Sequence, residues 1–358
     1  MAFLVANSYL GLAKEATPGT TQTTAPGTAA QLAWIPVTSP QVTPTQVFLR
    51  DEALRGSPVM VYDQVQGVRH DEVDFKTYGY ADTFPLLVAS ILGGTYTPST
   101  SGATTHTIPL LNSPSTGSQT PSYTILDFDG ANWFIMNGAR AASLAMTFGA
   151  ETPLDGTVKF IANPYTSSTS YPTFAGVLST SAPNISAEAM IPAWDTTITI
   201  SGTSIGYIQS GELTMDRKTA PIFTMGQQGP RTNFAGPLEV SGKFTAVVDT
   251  NADPFSTTST YSAGSTTGTA YGLFRSASNI PLVVTFTDPN DSTSGTNHSM
   301  KFTMSDVQFH DVRRIRGKDF TEVEVNFTAQ GNTTDAASGA GYSPVKFTAV
   351  NGQTAAYN

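Results

Sequence analysis

The sequence predicts an all-β fold arranged as two tandem sandwich-like or barrel-like units. Three observations lead there. Charged residues are only 13 % of the 358, about half the share of roughly 25 % usual in soluble chains, so small polar residues carry the surface. The 20 Phe and 13 Tyr, with Val and Thr, suit pleated, half-buried surfaces, and 31 Gly and 23 Pro supply frequent turns. Finally, short motifs recur in the same order at a nearly constant offset.

Residues 16–32 (ATPGTTQTTAPGTAAQL) show no apolar period and read as a flexible arm or loop. A strand at 31–37 precedes a Thr/Pro-rich stretch. Further strand-like segments lie at 58–62, 68–80, 143–148 and 156–163, then at 196–200, 208–215, 239–248, 281–286, 300–309 and 320–330. The cleanest alternation runs from Val323 to Ala329, a strand with one face on a core. Polar runs at 97–121, 165–183, 256–269 and 287–299 are too rich in Ser, Thr and Gly to bury apolar surface, and long surface loops are expected there. One helix is expected at 81–94. Asp82 can cap it, Pro85 sits in the first turn, and Gly93-Gly94 gives the left-handed stop. Phe84, Leu87, Val88, Ile91 and Leu92 fall on one stripe. A weaker helix is expected at 270–277.

Glu72-Val73-Asp74-Phe75-Lys76 recurs as Glu239-Val240-Ser241-Gly242-Lys243, and Val158-Lys159-Phe160-Ile161-Ala162 recurs as Val325-Asn326-Phe327-Thr328-Ala329. Both pairs are displaced by the same 167 positions. Between them, Ala81-Asp82-Thr83-Phe84 resembles Ala252-Asp253-Pro254-Phe255. Two units of one kind are expected, at 1–187 and 188–358. A duplicated unit presents two quasi-equivalent edges, so three chains could close a ring with six similar positions.

The net charge is −9, and the densest basic cluster is Arg313, Arg314, Arg316 and Lys318. Binding duplex DNA tightly requires a basic face, whereas an acidic balance suits a surface that does not hold it. There is no Cys, which excludes disulfides, thiolate metal sites and a Cys nucleophile. No run approaches the ~20 apolar residues of a membrane span. The start, Met1-Ala2-Phe3-Leu4-Val5-Ala6, lacks a basic region and a long apolar run, so a chain made in the cytosol is expected.

The search for chemistry is negative. His70, His106, His298 and His310 show no metal-ligand spacing; His106 and His298 sit in polar runs, and His70 and His310 are expected to face solvent from strands. Gly202-Thr203-Ser204-Ile205-Gly206 matches the hydrolase elbow G-x-S-x-G, but a strand-like segment follows where a helix is required, which favours a hairpin turn. Asp127-Phe128-Asp129-Gly130 lacks the further ligands of a calcium loop and reads as a turn. No catalytic, cofactor or metal site is expected, and the chain is read as no enzyme.

Leu10-Gly11-Leu12-Ala13-Lys14-Glu15-Ala16-Thr17-Pro18-Gly19-Thr20, then Trp34-Ile35-Pro36-Val37, then Leu54-Arg55-Gly56-Ser57 and a short helix, resembles the N-terminal half of major tail (tail tube) proteins of long-tailed, non-contractile phages. The stretch from Ser210-Gly211-Glu212-Leu213 to Phe255 is similar to the same family. The resemblance implies tail-tube β-sandwich units, each with a flanking helix, whose inner strands join those of neighbours into a shared barrel. It implies a structural virion protein of the tail, self-assembling into stacked rings around a channel for genome DNA. The implied partners are further copies of the chain (a trimeric pseudo-hexamer, or else a homohexamer), the tape measure protein, tail tip or terminator proteins, and passing duplex DNA without tight binding. Asp71, Glu72, Asp74 and Glu239 are the acidic candidates for the channel wall. A tail-associated adhesin or decoration protein is the alternative.

Overall fold

Wherever apolar and polar residues alternate over six or more positions, one side chain set can be buried while the other stays wet, and the backbone extends. The computed structural model describes residues 8–21, 32–113, 117–168, 188–205, 208–247, 261–263, 266–268, 279–316, 320–337 and 341–357. The first half contains β1 (Tyr9–Lys14), β2 (Leu32–Ile35), β3 (Gln41–Asp51), β4 (Asp63–Tyr78), α1 (Phe84–Leu92), β5 (Ser99–Ser101), β6 (Ala103–Ile108), β7 (Tyr123–Phe128), β8 (Trp133–Gly149), β9 (Asp155–Ala162) and β10 (Thr166–Ser168). The second contains β11 (Thr196–Ile200), β12 (Thr203–Ile205), β13 (Ile208–Asp216), β14 (Ala220–Ile222), β15 (Thr232–Phe234), β16 (Glu239–Val247), β17 (Tyr261–Ala263), β18 (Thr266–Gly268), β19 (Ile280–Thr293), β20 (Thr296–Ile315), β21 (Glu322–Ala329) and β22 (Lys346–Asn351).

The organising element is an antiparallel ladder in the order β3–β4–β9–β8–β13–β16–β21–β20. Its first four strands and its last four follow the same spatial and chain order. A second layer backs each set, as β2–β1–β7–β8 in the first half and β12–β11–β19–β20 in the second. β6 and β22 extend the latter from the other side of β20. β8 and β20 run through both layers, and each carries a bulge on entering the ladder, between Ala141 and Ser143 and between Phe309 and Asp311. A bulge adds one residue to one strand and bends it, which lets one strand serve two sheets.

Apolar side chains fill the space between the layers. Phe75 stacks on Phe160 with centroids 6.0 Å apart, and Phe244 lies 6.4 Å from Phe327 in the other half. Phe75 is paired with Val158, and Phe244 with Val325. The place of Phe75 is therefore taken by Phe244 and not by Gly242, so the recurrence of Glu72 as Glu239 is two residues out of step with the strand pairing. The recurrence of Val158 as Val325 keeps step with it.

α1 is buried on every side, from Phe84 to Leu92, not on one stripe. A helix apolar all round has no wet face to offer. Gly93 ends it at φ 70°, while the N-cap position is Thr83, one residue beyond Asp82. The expected second helix at 270–277 and the motif at 252–255 lie outside the described residues, as do 22–31 of the expected arm.

Several expected loops are ordered hairpins. β5 and β6 lie within 97–121 and β10 begins the run at 165–183, while β17 and β18 occupy part of 256–269. The run at 287–299 is the β19–β20 hairpin, with Ser294 and Gly295 both at positive φ, 53° and 77°. That is the primed turn whose twist matches its strands. Conversely, 58–62 is no strand; Val59 and Met60 are exposed in an irregular connection. Among the described residues, Phe75→Ala should lower the unfolding free energy by about 3–5 kcal/mol, as large core truncations do. Urea unfolding followed by circular dichroism checks this, and a loss below ~1 kcal/mol would contradict the packing described.

Candidate functional site

One face of the ladder is covered by the second layer and α1. The other is polar from end to end. Alternation along β4 buries Asp71, Val73, Phe75 and Thr77 and turns Glu72, Asp74 and Lys76 outward. The same alternation turns out Thr157 and Lys159 on β9, Glu212, Thr214 and Asp216 on β13, Glu239, Ser241 and Lys243 on β16, and Glu324, Asn326 and Thr328 on β21. Registers agree across strands, with Asp74 opposite Lys159 and Glu212 opposite Lys243.

Ion pairs run over this face: Lys159–Glu72 at 2.6 Å, Lys218–Glu239 at 2.5 Å, Lys243–Glu212 at 3.0 Å and Arg313–Glu324 at 2.6 Å. The hydrogen bond to Glu72 raises the Lys159 pKa, and Lys218 lowers that of Glu239. Exposed pairs are screened by solvent and add little to stability, so their main effect is on the field. They tie up four of the cations that could otherwise hold phosphate, Lys76 standing outside the pairs, and Asp74, Asp216 and Asp311 leave a slight acidic excess. Arg313, expected at a strand end, is a member of this array.

The four acidic candidates do not share a face. Asp71 is core-facing and 2 % exposed, its carboxylate accepting a 2.7 Å bond from the Tyr165 amide. Burial raises its pKa, partly offset by that bond. Glu72, Asp74 and Glu239 are on the polar face, and there burial raises the pKa of Asp74.

The ladder ends on two strand edges. β3 pairs only with β4, and the 309–315 part of β20 pairs only with β21 among the described residues. The corresponding part of β8, Ser143–Gly149, is paired on its further side with β13. Beyond the ladder, the β3–β4 hairpin projects apolar side chains into solvent: Phe48, Leu49, Leu54, Met60 and Val65 are all at least half exposed. Sequence reasoning missed this surface, although the unalternating run Val47-Phe48-Leu49 was its visible signal.

The remaining candidates are structural. Ser204 lies within β12, after the turn Ser201-Gly202, so it is no nucleophile elbow. His106 and His298 lie in β6 and β20, both buried, instead of in surface loops. Asp129 accepts from the Ala131 and Asn132 amides at 2.8 and 2.7 Å, closing the β7–β8 turn. Glu15 is 5 % exposed and accepts from the Gly19 and Gly138 amides and the Thr124 hydroxyl at 2.7, 2.7 and 3.0 Å. It pins the turn after β1 to β7 and β8. No helix among the described residues is long and apolar enough to cross a membrane.

The family model described as phage tail tube protein matches residues 5–329. No curated protein matches the chain.

Asp127, beside that turn, is pushed up to about 6 by burial and then by the charge of Asp129. Between pH 4 and 6 the folded chain therefore holds a proton that the unfolded chain gives up, so this group makes stability fall as pH rises through that window. Asp127→Asn should flatten that part of the profile in urea unfolding at pH 4, 5 and 6; an unchanged slope would show that Asp127 is not its source.

Proposed function

The chain belongs to the phage tail tube protein family, and from that premise we propose that its copies complete one another's ladders to form a ring, that rings stack, and that the resulting bore carries genome DNA. The observation that supports this best is the β8–β13 joint. Inside one chain, the edge of the first strand set meets the first strand of the second set. β20 occupies the place of β8, and β3 that of β13, yet among the described residues these two strands have no such mates. An open edge is an aggregation hazard, which closure into a ring removes.

The internal joint supplies the register for the external one. Thr214 faces Ala145 and Asp216 faces Ser143. Transferred through the matching bulges and pairings, Thr43 of one copy faces Arg313 of the next, and Thr45 faces Asp311. All four side chains lie on the polar face, so the joint continues both faces without a flip.

On this reading the two strand sets are copies of one unit, and three chains make a pseudo-sixfold ring. With strands about 4.8 Å apart and tilted by up to about 40°, eight from each of three chains span a cylinder roughly 37–48 Å across. That exceeds porins of 16–18 strands, which already leave an aqueous channel. The apolar face is covered from outside, so the polar face lines the bore. Its cations, four of them held in ion pairs, offer phosphates little counterion-release gain, so DNA slides without sticking. The exposed apolar residues of the β3–β4 hairpin suit contact with the next ring, and tape measure and terminator proteins would meet the tube bore and ends. An adhesin or decoration protein has no use for two matching open edges.

Because the chain has no Cys, a double variant Thr45→Cys/Asp311→Cys gives an unambiguous crosslink; facing strand residues have Cα atoms about 4.5–5.5 Å apart, within disulfide reach. Oxidised assemblies should run as covalent trimers on non-reducing gels. A ladder reaching six would select the homohexamer, and monomer alone would reject the joint. Leu54→Asp/Met60→Asp, at exposed positions where stability should change by less than about 0.5 kcal/mol, should leave rings that no longer stack in negative-stain micrographs. Tubes of normal length would remove the hairpin from the stacking contact.

A further inference from the structure

Away from the ladder, three side chains distant in sequence converge near the β19–β20 turn. Glu188 comes from the segment leading into the second half, Asp291 from the irregular end of β19, and His298 from the start of β20. One ligand atom of each lies within 4.8 Å of the other two. His298 is only 3 % exposed. Its Nε2 is 2.8 Å from the Thr293 hydroxyl. Its Nδ1 has no hydrogen-bond partner among the described residues and points at Asp291 Oδ2, 3.5 Å away, and at Glu188 Oε1, 3.8 Å away.

These distances are long for hydrogen bonds and short for groups that ignore each other. Ligands about 2.0–2.2 Å from one tetrahedral metal ion are themselves separated by roughly 3.3–3.6 Å. The two His298 distances need a contraction of at most a few tenths of an ångström, and the widest pair in the cluster, within 4.8 Å, one of up to about 1.5 Å, which the partly buried carboxylates supply by rotation. In the tautomer whose Nε2–H donates to the Thr293 hydroxyl, Nδ1 presents its lone pair, the usual support for a metal-bound imidazole. Charge argues the same way. The carboxyls of Asp82 and Asp288 add negative charge beside Glu188 and Asp291. A dication would relieve that repulsion among partly buried acids.

We propose that Glu188, Asp291 and His298 form a binding site for one divalent transition-metal ion of the zinc class, which ties the β19–β20 hairpin to the segment that opens the second half. One imidazole and two carboxylates suit zinc better than calcium, which takes six to eight oxygens. The role is structural: all three ligands come from the chain, and the ion closes a long loop between residues 188 and 291.

The test uses the full chain, stripped with chelator and titrated with zinc chloride, with calcium chloride as control. Calorimetry, metal analysis after gel filtration and thermal unfolding should show one zinc per chain and a midpoint that rises with zinc concentration and not with calcium. His298→Ala and Asp291→Asn should each weaken zinc binding at least tenfold and abolish the rise. Asp291 is a third exposed, so its amide variant should keep the wild-type circular dichroism spectrum and carries the test if His298→Ala does not fold. Absence of zinc on the wild-type chain, or equal binding by Asp291→Asn, as partly buried His70 or exposed His310 would give, overturns the site.

Discussion

The hydrogen-bonded joint between β8 and β13 holds this architecture together. Without it the chain would be two β units on a tether, each with its own edges to hide. With it, eight strands become one surface whose two faces keep their character from end to end. The joint is antiparallel and in register over Ser143–Gly149, so it fixes the relation of the halves to within one residue. A slip of one would turn Leu144 and Met146 into solvent and Ala145 and Thr147 into the core. The same restriction gives the proposed contact between copies its definition.

The two faces divide the work. Phe75, Phe160, Phe244 and Phe327 lie on the covered side, where removing apolar area from water stabilises the fold. The opposite side contributes little to stability, and its charges are arranged in cross-strand pairs. On the proposed function this is the wall past which a polyanion moves.

Local motifs serve the same frame. Glu15 is the carboxylate in Gly11-Leu12-Ala13-Lys14-Glu15-Ala16-Thr17-Pro18-Gly19, and its three accepted bonds explain the spacing. Gly19, at φ 80°, brings its amide back to the Glu15 carboxylate. Gly138, at φ 63°, offers the second amide from β8. The motif is thus a clip between β1 and the strands behind it, and not a site of reaction.

The amino-acid sequence determined the all-β class, most strand positions, the helix with its glycine stop, and the recurrence of Val158–Ala162 as Val325–Ala329. These are local properties, fixed by alternation and by turn chemistry. It missed β3, because Pro44 and a polar composition hide a strand whose one partner among the described residues is the next strand in the chain. It misjudged the ordered hairpins at 99–108 and 287–299, since Ser/Thr-rich strands lack the apolar signal on which the reading depends. Only the tertiary structure decided that Asp71 faces the core while Glu72 and Asp74 face outward, because strand facing inverts with a shift of one residue. Only it brought Glu188, Asp291 and His298 together, and only it showed which strand edges lack mates among the described residues, because both are facts about neighbours in space that no local pattern encodes.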